Sequence, residues 1–303
     1  MPGRTIRHVN AFTRTPLEGN PAAVVDGVGL SAETMQRIAL NQHLSETVFL
    51  LPPESPAHHA HIRIFTPGTE LPFAGHPTIA ASHILVSEGR VKLPGGEPLL
   101  LETGAGVIPV EVTPAGVVID GEKIAAAGPL YTMTQAAPEF RESPLPLDAV
   151  AAAVGLASGE IVRAEQVSTG IFWVIAQVAS LDAMLRVEPN MTALMDVPHG
   201  LSIFCLGAQS ADADVHVRAF APAAGVFEDP VTGSSNGCTA VFIAKHALLP
   251  ARDGVIRYVA EQGIEMGQPG RVYVHVTGTA DAPRAHIGGH AVTVLRGELL
   301  LPD

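Results

Sequence analysis

Cysteine is scarce in this 303-residue chain. Cys205 and Cys238 are the only two, far too few for a disulfide framework, so a reducing cytoplasm is the expected setting. Lysine is nearly as rare: Lys92, Lys123 and Lys245 leave few places for a Lys-linked pyridoxal phosphate, and none lies in a suggestive motif. No apolar run reaches the ~20 residues of a membrane helix. Met1 to Phe12 lacks the basic start and apolar core of a secretory signal. No GxxxxGK[ST] occurs and no GxGxxG follows a strand, so nucleotide binding is not expected. The net charge of −12 argues against nucleic acid or an anionic membrane as partner. A small anionic substrate is still compatible, because a local nest of backbone N–H groups outweighs a distant global charge. What remains, 47% hydrophobic and 16% charged residues, describes a globular interior of one large or two ordinary domains.

What is present is a repeat. Arg63-Ile-Phe-Thr-Pro67, an acidic loop and Phe73-Ala-Gly-His-Pro77 open one apolar helix-forming run. Arg218-Ala-Phe-Ala-Pro222, a short loop and Phe227-Glu-Asp-Pro-Val-Thr-Gly-Ser234 open another. Each copy reads strand, Gly/Pro turn, helix, and each turn carries one titratable side chain: His76 in the first, Asp229 in the second. Such a duplication with different chemistry in each copy implies one enzyme-like site between two related halves.

The elements around the repeat follow the same order in both halves. In the first, strands are expected at 6–12, 22–25, 47–51 and 61–66, with a turn at Gly19-Asn-Pro21. Ser31 is the expected N-cap of a helix with the apolar stripe Met35, Ile38 and Ala39. Pro77 suits the opening of a second helix that ends near Val86, with Gly89 behind it. Strands at 99–102, 107–112 and 117–120 close the half. In the second, strands are expected at 172–178, 201–206, 215–220, 255–261 and 272–277. Helices are expected at 148–154, at 181–195 with a break before Pro189, and at 235–248. Gly121–Pro146 reads as the crossing. The halves are then 1–120 plus 288–303, and 121–287. Short strands with two long helices per half favour a curved, mostly antiparallel sheet around a helix over a doubly wound parallel sheet.

Several residues are candidates for chemistry, each with a bland alternative. Thr232-Gly-Ser-Ser-Asn-Gly237 lets N–H groups converge at a helix start, where an anion would be held; it is also an ordinary Gly-rich turn. His76 is either a capping histidine or a proton carrier kept neutral by the helix N-terminus. Asp229 is either a turn former before Pro230 or a functional acid. Glu46, leading into Thr-Val-Phe-Leu-Leu, either faces solvent or is buried with a raised pKa. His58, His59 and His61 have a metal-like composition but no ligand spacing, so a solvated loop is expected. Cys205 and Cys238 read as core thiols.

With these residues named, the chain resembles the PhzF family of phenazine-biosynthesis-type isomerases, relatives of diaminopimelate epimerase. The matching stretches are PLEGNPAAVV (within 12–25), MQRIALNQHLSETVF (35–49), IRIFTPGTELPFAGHP (62–77), FAPAAGVFEDPVTGS (220–234) and QGIEMGQPG (262–270). The resemblance implies an α+β fold of two pseudo-symmetric halves, each a rolled mixed sheet around a central α-helix. It further implies a site in the cleft between the halves, a homodimer, no cofactor and no metal. By the same resemblance Glu46 is the proton-shuttling acid/base, while His76 and Asp229 orient the substrate and assist. Gly75, Gly233, Ser234, Ser235 and Asn20 would bind a small amino-acid-like substrate. In the epimerase relatives two opposed cysteines do the proton work; here Ser234 and Ala74-Gly75-His76 stand at the two turns, which disfavours that chemistry. Ser235-Asn-Gly-Cys-Thr also replaces the family's small-residue run after TGS. The activity implied is a cofactor-independent isomerisation that moves a proton and double bond in a small cyclic unsaturated amino acid. A racemase or epimerase, or a non-catalytic binding protein on the same fold, remain the alternatives.

Overall fold

The computed structural model describes residues 3–117 and 128–301, so part of the expected strand at 117–120 and of the crossing at 121–146 lies outside the described residues. The chain divides into two compact units, Met1–Met133 with Gly288–Asp303, and Thr134–Ile287. In chain order the elements are β1 (Arg4–Ala11), β2 (Asn20–Asp26), α1 (Ala32–Gln42), β3 (Glu46–Leu51), β4 (Ala60–Phe65), β5 (Glu70–Leu71), α2 (Gly75–Ser87), β6 (Leu99–Thr103), β7 (Gly106–Thr113) and β8 (Leu130–Thr134). They continue with β9 (Glu139–Glu142), α3 (Leu147–Ala153), β10 (Ile161–Ser168), β11 (Phe172–Val178), α4 (Leu181–Met184), α5 (Met191–Met195), β12 (Leu201–Leu206), β13 (Val215–Ala221), β14 (Val226–Asp229) and α6 (Gly233–Lys245). The last are β15 (Ala251–Arg252), β16 (Val255–Gln262), β17 (Gly270–Thr279), β18 (Ala282–Gly289) and β19 (Ala291–Leu299). No helix among the described residues is long and apolar enough to cross a membrane.

The first unit is a mixed sheet. Strand β1 pairs antiparallel with β19 and β2, β2 parallel with β3, and β3 antiparallel with β4. Then β4 pairs antiparallel with the short β5 and parallel with β6, and β6 antiparallel with β7. The second unit repeats this: β10–β11 antiparallel, β11–β12 parallel, β12–β13 antiparallel, β13–β14 antiparallel, β13–β16 parallel and β16–β17 antiparallel. Even the register is shared. Phe65 faces Thr47 as Phe220 faces Leu201, and His61 faces Glu102 as His216 faces Glu261.

The two long helices are the hubs. Helix α2 packs on β1, β2, β3, β4 and β19, and α6 on β10, β11, β12 and β17. A helix that touches strands across its whole sheet must be apolar nearly all round, unlike a surface helix with one stripe. The sequence obliges: nine of thirteen α2 residues and eleven of thirteen α6 residues are buried. Helix α1 is the contrasting case, burying only the stripe Met35, Ile38 and Ala39, with the Ser31 side chain accepting from the Thr34 N–H as its N-cap. Because β2 and β3 lie between α1 and α2, both their faces are buried, and they read as the continuous runs AAVV and VFLL rather than as alternation.

Some local expectations need correction. Asn20 starts strand β2 rather than sitting in a turn. The helix expected at 181–195 has its break before Pro189 as expected, though the gap is wide enough to leave two short helices, α4 and α5. The crossing contains strands β8 and β9, the former almost wholly buried through Leu130, Tyr131, Thr132 and Met133. The loop with His58 and His59 is pinned rather than loosely solvated, and His61 lies in β4. Glu102 accepts from the N–H groups of Glu54 (2.7 Å) and Ser55 (2.8 Å) and pairs with His58 Nδ1 (2.7 Å), while the Leu100 N–H donates to His59 Nδ1. Those backbone bonds, with His58, hold the Glu102 carboxyl down at about 2. The second unit has the same device: Glu261 accepts from the N–H groups of Gln209 (2.6 Å) and Ser210 (3.0 Å) and pairs with His216 Nδ1 (2.7 Å). Among the described residues no cluster of acidic, His or Cys side chains forms a metal site.

Candidate active site

Glu46 is the first residue of β3 and stands opposite Ala22 of the parallel strand β2. Its side chain is 16% exposed, and Oε2 lies 3.2 Å from Nε2 of His76, itself 8% exposed. Ser45 Oγ is 3.4 Å from the same ring nitrogen. The Glu46 Oε2 atom is buried yet makes no aligned hydrogen bond. Burial therefore pushes the carboxyl above the ordinary carboxylate range, opposed only in part by a hydrogen bond with Ser45. A carboxyl with raised proton affinity is better suited than an ordinary one to take up and return a proton.

His76 is the second residue of α2, behind Gly75. Pro77 costs nothing there, because the first-turn N–H groups of a helix have no intrahelical partner. The helix has no side-chain cap, so the Gly75 and His76 N–H groups present the positive end of its dipole. Asn20, 1% exposed, lies on the same face of β2 as Ala22, two residues ahead of the position opposite Glu46.

The second unit builds its site at the start of α6, also without a side-chain cap. Asp229 ends β14, and its Oδ2 accepts from the Thr232 hydroxyl at 2.6 Å. Of the side chains in the first turn of α6, only that of Ser234 is not fully buried. Its Oγ accepts from Trp173 Nε1 at 3.1 Å. Ser235 is turned away: it is completely buried, and its hydroxyl donates to the Thr232 carbonyl. Both cysteines are core thiols, Cys238 in α6 and Cys205 in β12, and burial pushes each up to about 12. Neither is a ready thiolate nucleophile or base.

The shared register shows how the duplication was divided. With Phe65 matched to Phe220, Glu46 corresponds to Gly200, Ala22 to Trp173 and Leu71 to Asp229. The helix starts match Gly75 to Gly233 and His76 to Ser234. Where the first unit carries an acid, the second has a glycine at φ 102°, and a Cβ there would meet Trp173 Cζ3 at 2.7 Å. The Phe220 carbonyl oxygen is as close, at 2.7 Å, so position 200 has no room for a side chain. Reading of the sequence missed Trp173 and Ser45. Trp173 was findable, being the chain's single tryptophan within the repeated strand pattern; Ser45 carries no such signal.

Residues 9–297 match the family model described as phenazine biosynthesis-like protein, PhzC-PhzF. An uncharacterized isomerase of Mesorhizobium japonicum is 35% identical over 96% of this chain and 97% of its own length. A trans-2,3-dihydro-3-hydroxyanthranilate isomerase of Pseudomonas aeruginosa is 34% identical over 97% of this chain and 98% of its own. The crystal structure of a PhzF-family protein from Bacillus anthracis superposes with a TM-score of 0.87 at 31% identity, covering 99% of this chain and 100% of that one. A hydroxyproline epimerase from Agrobacterium vitis shares the fold at TM-score 0.63 and 15% identity, over 99% and 93%. The chain is an isomerase of the phenazine biosynthesis-like PhzC-PhzF family.

Proposed function

We propose that this isomerase shifts a proton, and with it a double bond, within a small cyclic unsaturated amino acid, using Glu46 as its acid/base and no cofactor. The observation that carries the reading is the shielded Glu46 carboxyl with raised proton affinity, 3.2 Å from His76. Glu46 takes a proton from an activated ring carbon, and the C–H electron pair enters the conjugated system. The protonated carboxyl, whose proton exchanges with solvent, then delivers a proton to another carbon of the same molecule. The formula is unchanged and no oxidant or reductant is needed. His76 orients the carboxyl, and Asp229 orients the substrate and assists the transfer. The N–H groups of Gly75 and Gly233 with the Ser234 hydroxyl hold the substrate carboxylate, in keeping with the affinity of helix starts for anions. Asn20 binds the substrate beside Glu46, and Ser235 contributes through its backbone, since its hydroxyl is committed to Thr232. A reacting carbon held about 3 Å from a positioned base is the geometry in which proton relay is effective.

A dihydro-hydroxyanthranilate of the kind named for the Pseudomonas relative fits this chemistry, as does a pyrroline-type intermediate. A cytoplasmic homodimer is the expected form, checked by light scattering of the purified chain. Proton exchange at a single carbon is the rival reading, because the fold is shared with a hydroxyproline epimerase. Neither helix start carries a thiol, however, and both cysteines are held protonated in the core. Incubation with trans-2,3-dihydro-3-hydroxyanthranilate and with cyclic imino acids, followed by NMR of the products, separates the two. A migrated double bond supports the proposal; an inverted stereocentre with the double bonds in place replaces it by the epimerase reading.

A further inference from the structure

Gln262 ends β16, fully buried, and its amide is saturated. Nε2 donates to the Asp229 carbonyl (2.8 Å) and to Thr232 Oγ1 (3.1 Å). Oε1 accepts from the Thr232 N–H (3.1 Å) and from Asn236 Nδ2 (2.8 Å). A primary amide offers two donors and two acceptor lone pairs, and all four are used here. The amide therefore has one orientation. Because one of its N–H groups already points at Thr232 Oγ1, the hydroxyl's own proton is turned outward, onto Asp229 Oδ2 at 2.6 Å. That is the length of a charge-assisted O–H···O⁻ bond.

The fold does not require this network. In the first unit the matching positions are Leu71, Ala74, Thr78 and Thr103, and α2 forms the same thirteen-residue helix from its own Gly start. There Thr78 Oγ1 donates to the Ala74 carbonyl (2.7 Å), as Asn236 Nδ2 does to that of Thr232 (3.0 Å). Thr103 Oγ1 bonds within its own hairpin, to the Gly106 carbonyl. Only where the register places an acid, at Asp229, is the helix start backed by an amide relay. Glu228 and Glu261, the acids next to Asp229 on β14 and next to Gln262 on β16, are paired with Arg218 (2.8 Å) and His216 (2.7 Å).

We propose that Gln262 is a positioning residue for the reaction: locked by Asn236, it sets the direction of the Thr232 hydroxyl and so holds Asp229 as an oriented hydrogen-bond acceptor. This rests on the role proposed for Asp229, and it gives a function to the Asn236 that stands in the helix after TGS. A carboxylate that loses a hydrogen bond from a hydroxyl binds its proton more tightly.

The test needs no substrate. The titration of Asp229 is followed by NMR of ¹³C-labelled aspartate carboxyl carbons, assigned with Asp229→Asn. Thr232→Val, which keeps the shape without the hydroxyl, and Gln262→Glu, which reverses the direction of the relay, each move the Asp229 midpoint upward by roughly one to two pH units. Thr232→Ser restores the wild-type midpoint. If Thr232→Val does not fold, Thr232→Ala takes its place, since alanine occupies that position at the start of α2. Variants that lower the melting temperature but leave the Asp229 midpoint in place give the network a structural role only and overturn the proposal. A failure of the Glu46 reading would instead appear as activity surviving in Glu46→Gln, with the titration result unaffected.

Discussion

Replacing His216 with Gln tests the buried charge pair that adjoins Gln262 on β16. His216 is completely buried on β13, with Nδ1 2.7 Å from Glu261 and Nε2 3.1 Å from Glu265. Burial by itself would lower the imidazole, but the two carboxylates outweigh it and raise His216 to about 9. Glu261 moves the other way: burial raises it, while His216, the Ser210 side chain and the Gln209 N–H pull it down to about 2. A folded-state value of about 9 against 6.5 unfolded corresponds to roughly 3 kcal/mol. Because the value is raised, that stabilisation is complete below about pH 6.5 and is lost as pH rises through about 9. The Glu261 side of the same pair is complete above about pH 4.5 and is lost as pH falls toward 2. Removing the imidazole strands two carboxylates, one of them wholly buried, at a cost of about 3–5 kcal/mol. At ~2–4 °C per kcal/mol for a unit of this size, melting at pH 6 falls by roughly 6–20 °C. Glu261 adjoins Gln262, so the loss also loosens the strand that carries the amide. The assay is thermal unfolding of both proteins from pH 5 to 10. The gap between them should be widest near pH 6 and narrow toward pH 10. A gap under ~1 kcal/mol at pH 6, or one that does not change with pH, would refute the reasoning.

Two further outcomes follow from the site. The Glu46 carboxyl is raised by burial, so its penalty on folding grows as pH rises from the ordinary carboxylate range, where the unfolded chain ionises, and is complete above its own folded-state value. Glu46→Gln should therefore flatten the fall in stability that wild type shows as pH rises from the ordinary carboxylate range through that value; urea titrations at several pH values show whether it does. Trp173→Phe removes the N–H that bonds to Ser234 Oγ, worth about 0.5–1.5 kcal/mol. KM should rise a few-fold with kcat less affected, and an unchanged KM would mean that the indole does not position the serine.

Much of this molecule is legible in its sequence, for identifiable reasons. The RxFxP strand, the Gly/Pro turn and the apolar helix after it are local signals, and they recur in register in both units. Ser31 and the Met35, Ile38, Ala39 stripe are local in the same sense. Strand β8 escaped because its Ala-, Pro- and Thr-rich surroundings read as a connection, although burial of Tyr131 and Met133 decides otherwise. The chemistry of Glu46 is half legible. Its place before an apolar strand allowed either exposure or burial, and only packing could choose. The network around Asp229 was legible only in its members: Asp229 and Thr232 lie in EDPVTGS, and Gln262 opens QGIEMGQPG. Gln262 meets Thr232 across 30 residues of chain and Asn236 across 26, so the contacts among them carry no local signal. The Trp173–Gly200 replacement became visible only once the strand registers could be compared.

The most direct test of the central claim is the rate of solvent-deuterium incorporation into product by Glu46→Gln, measured beside wild type by mass spectrometry with folding checked by circular dichroism. A folded variant slowed by roughly 10²–10⁴-fold is the expected result. A folded variant that incorporates deuterium at close to the wild-type rate would show that another group carries the proton.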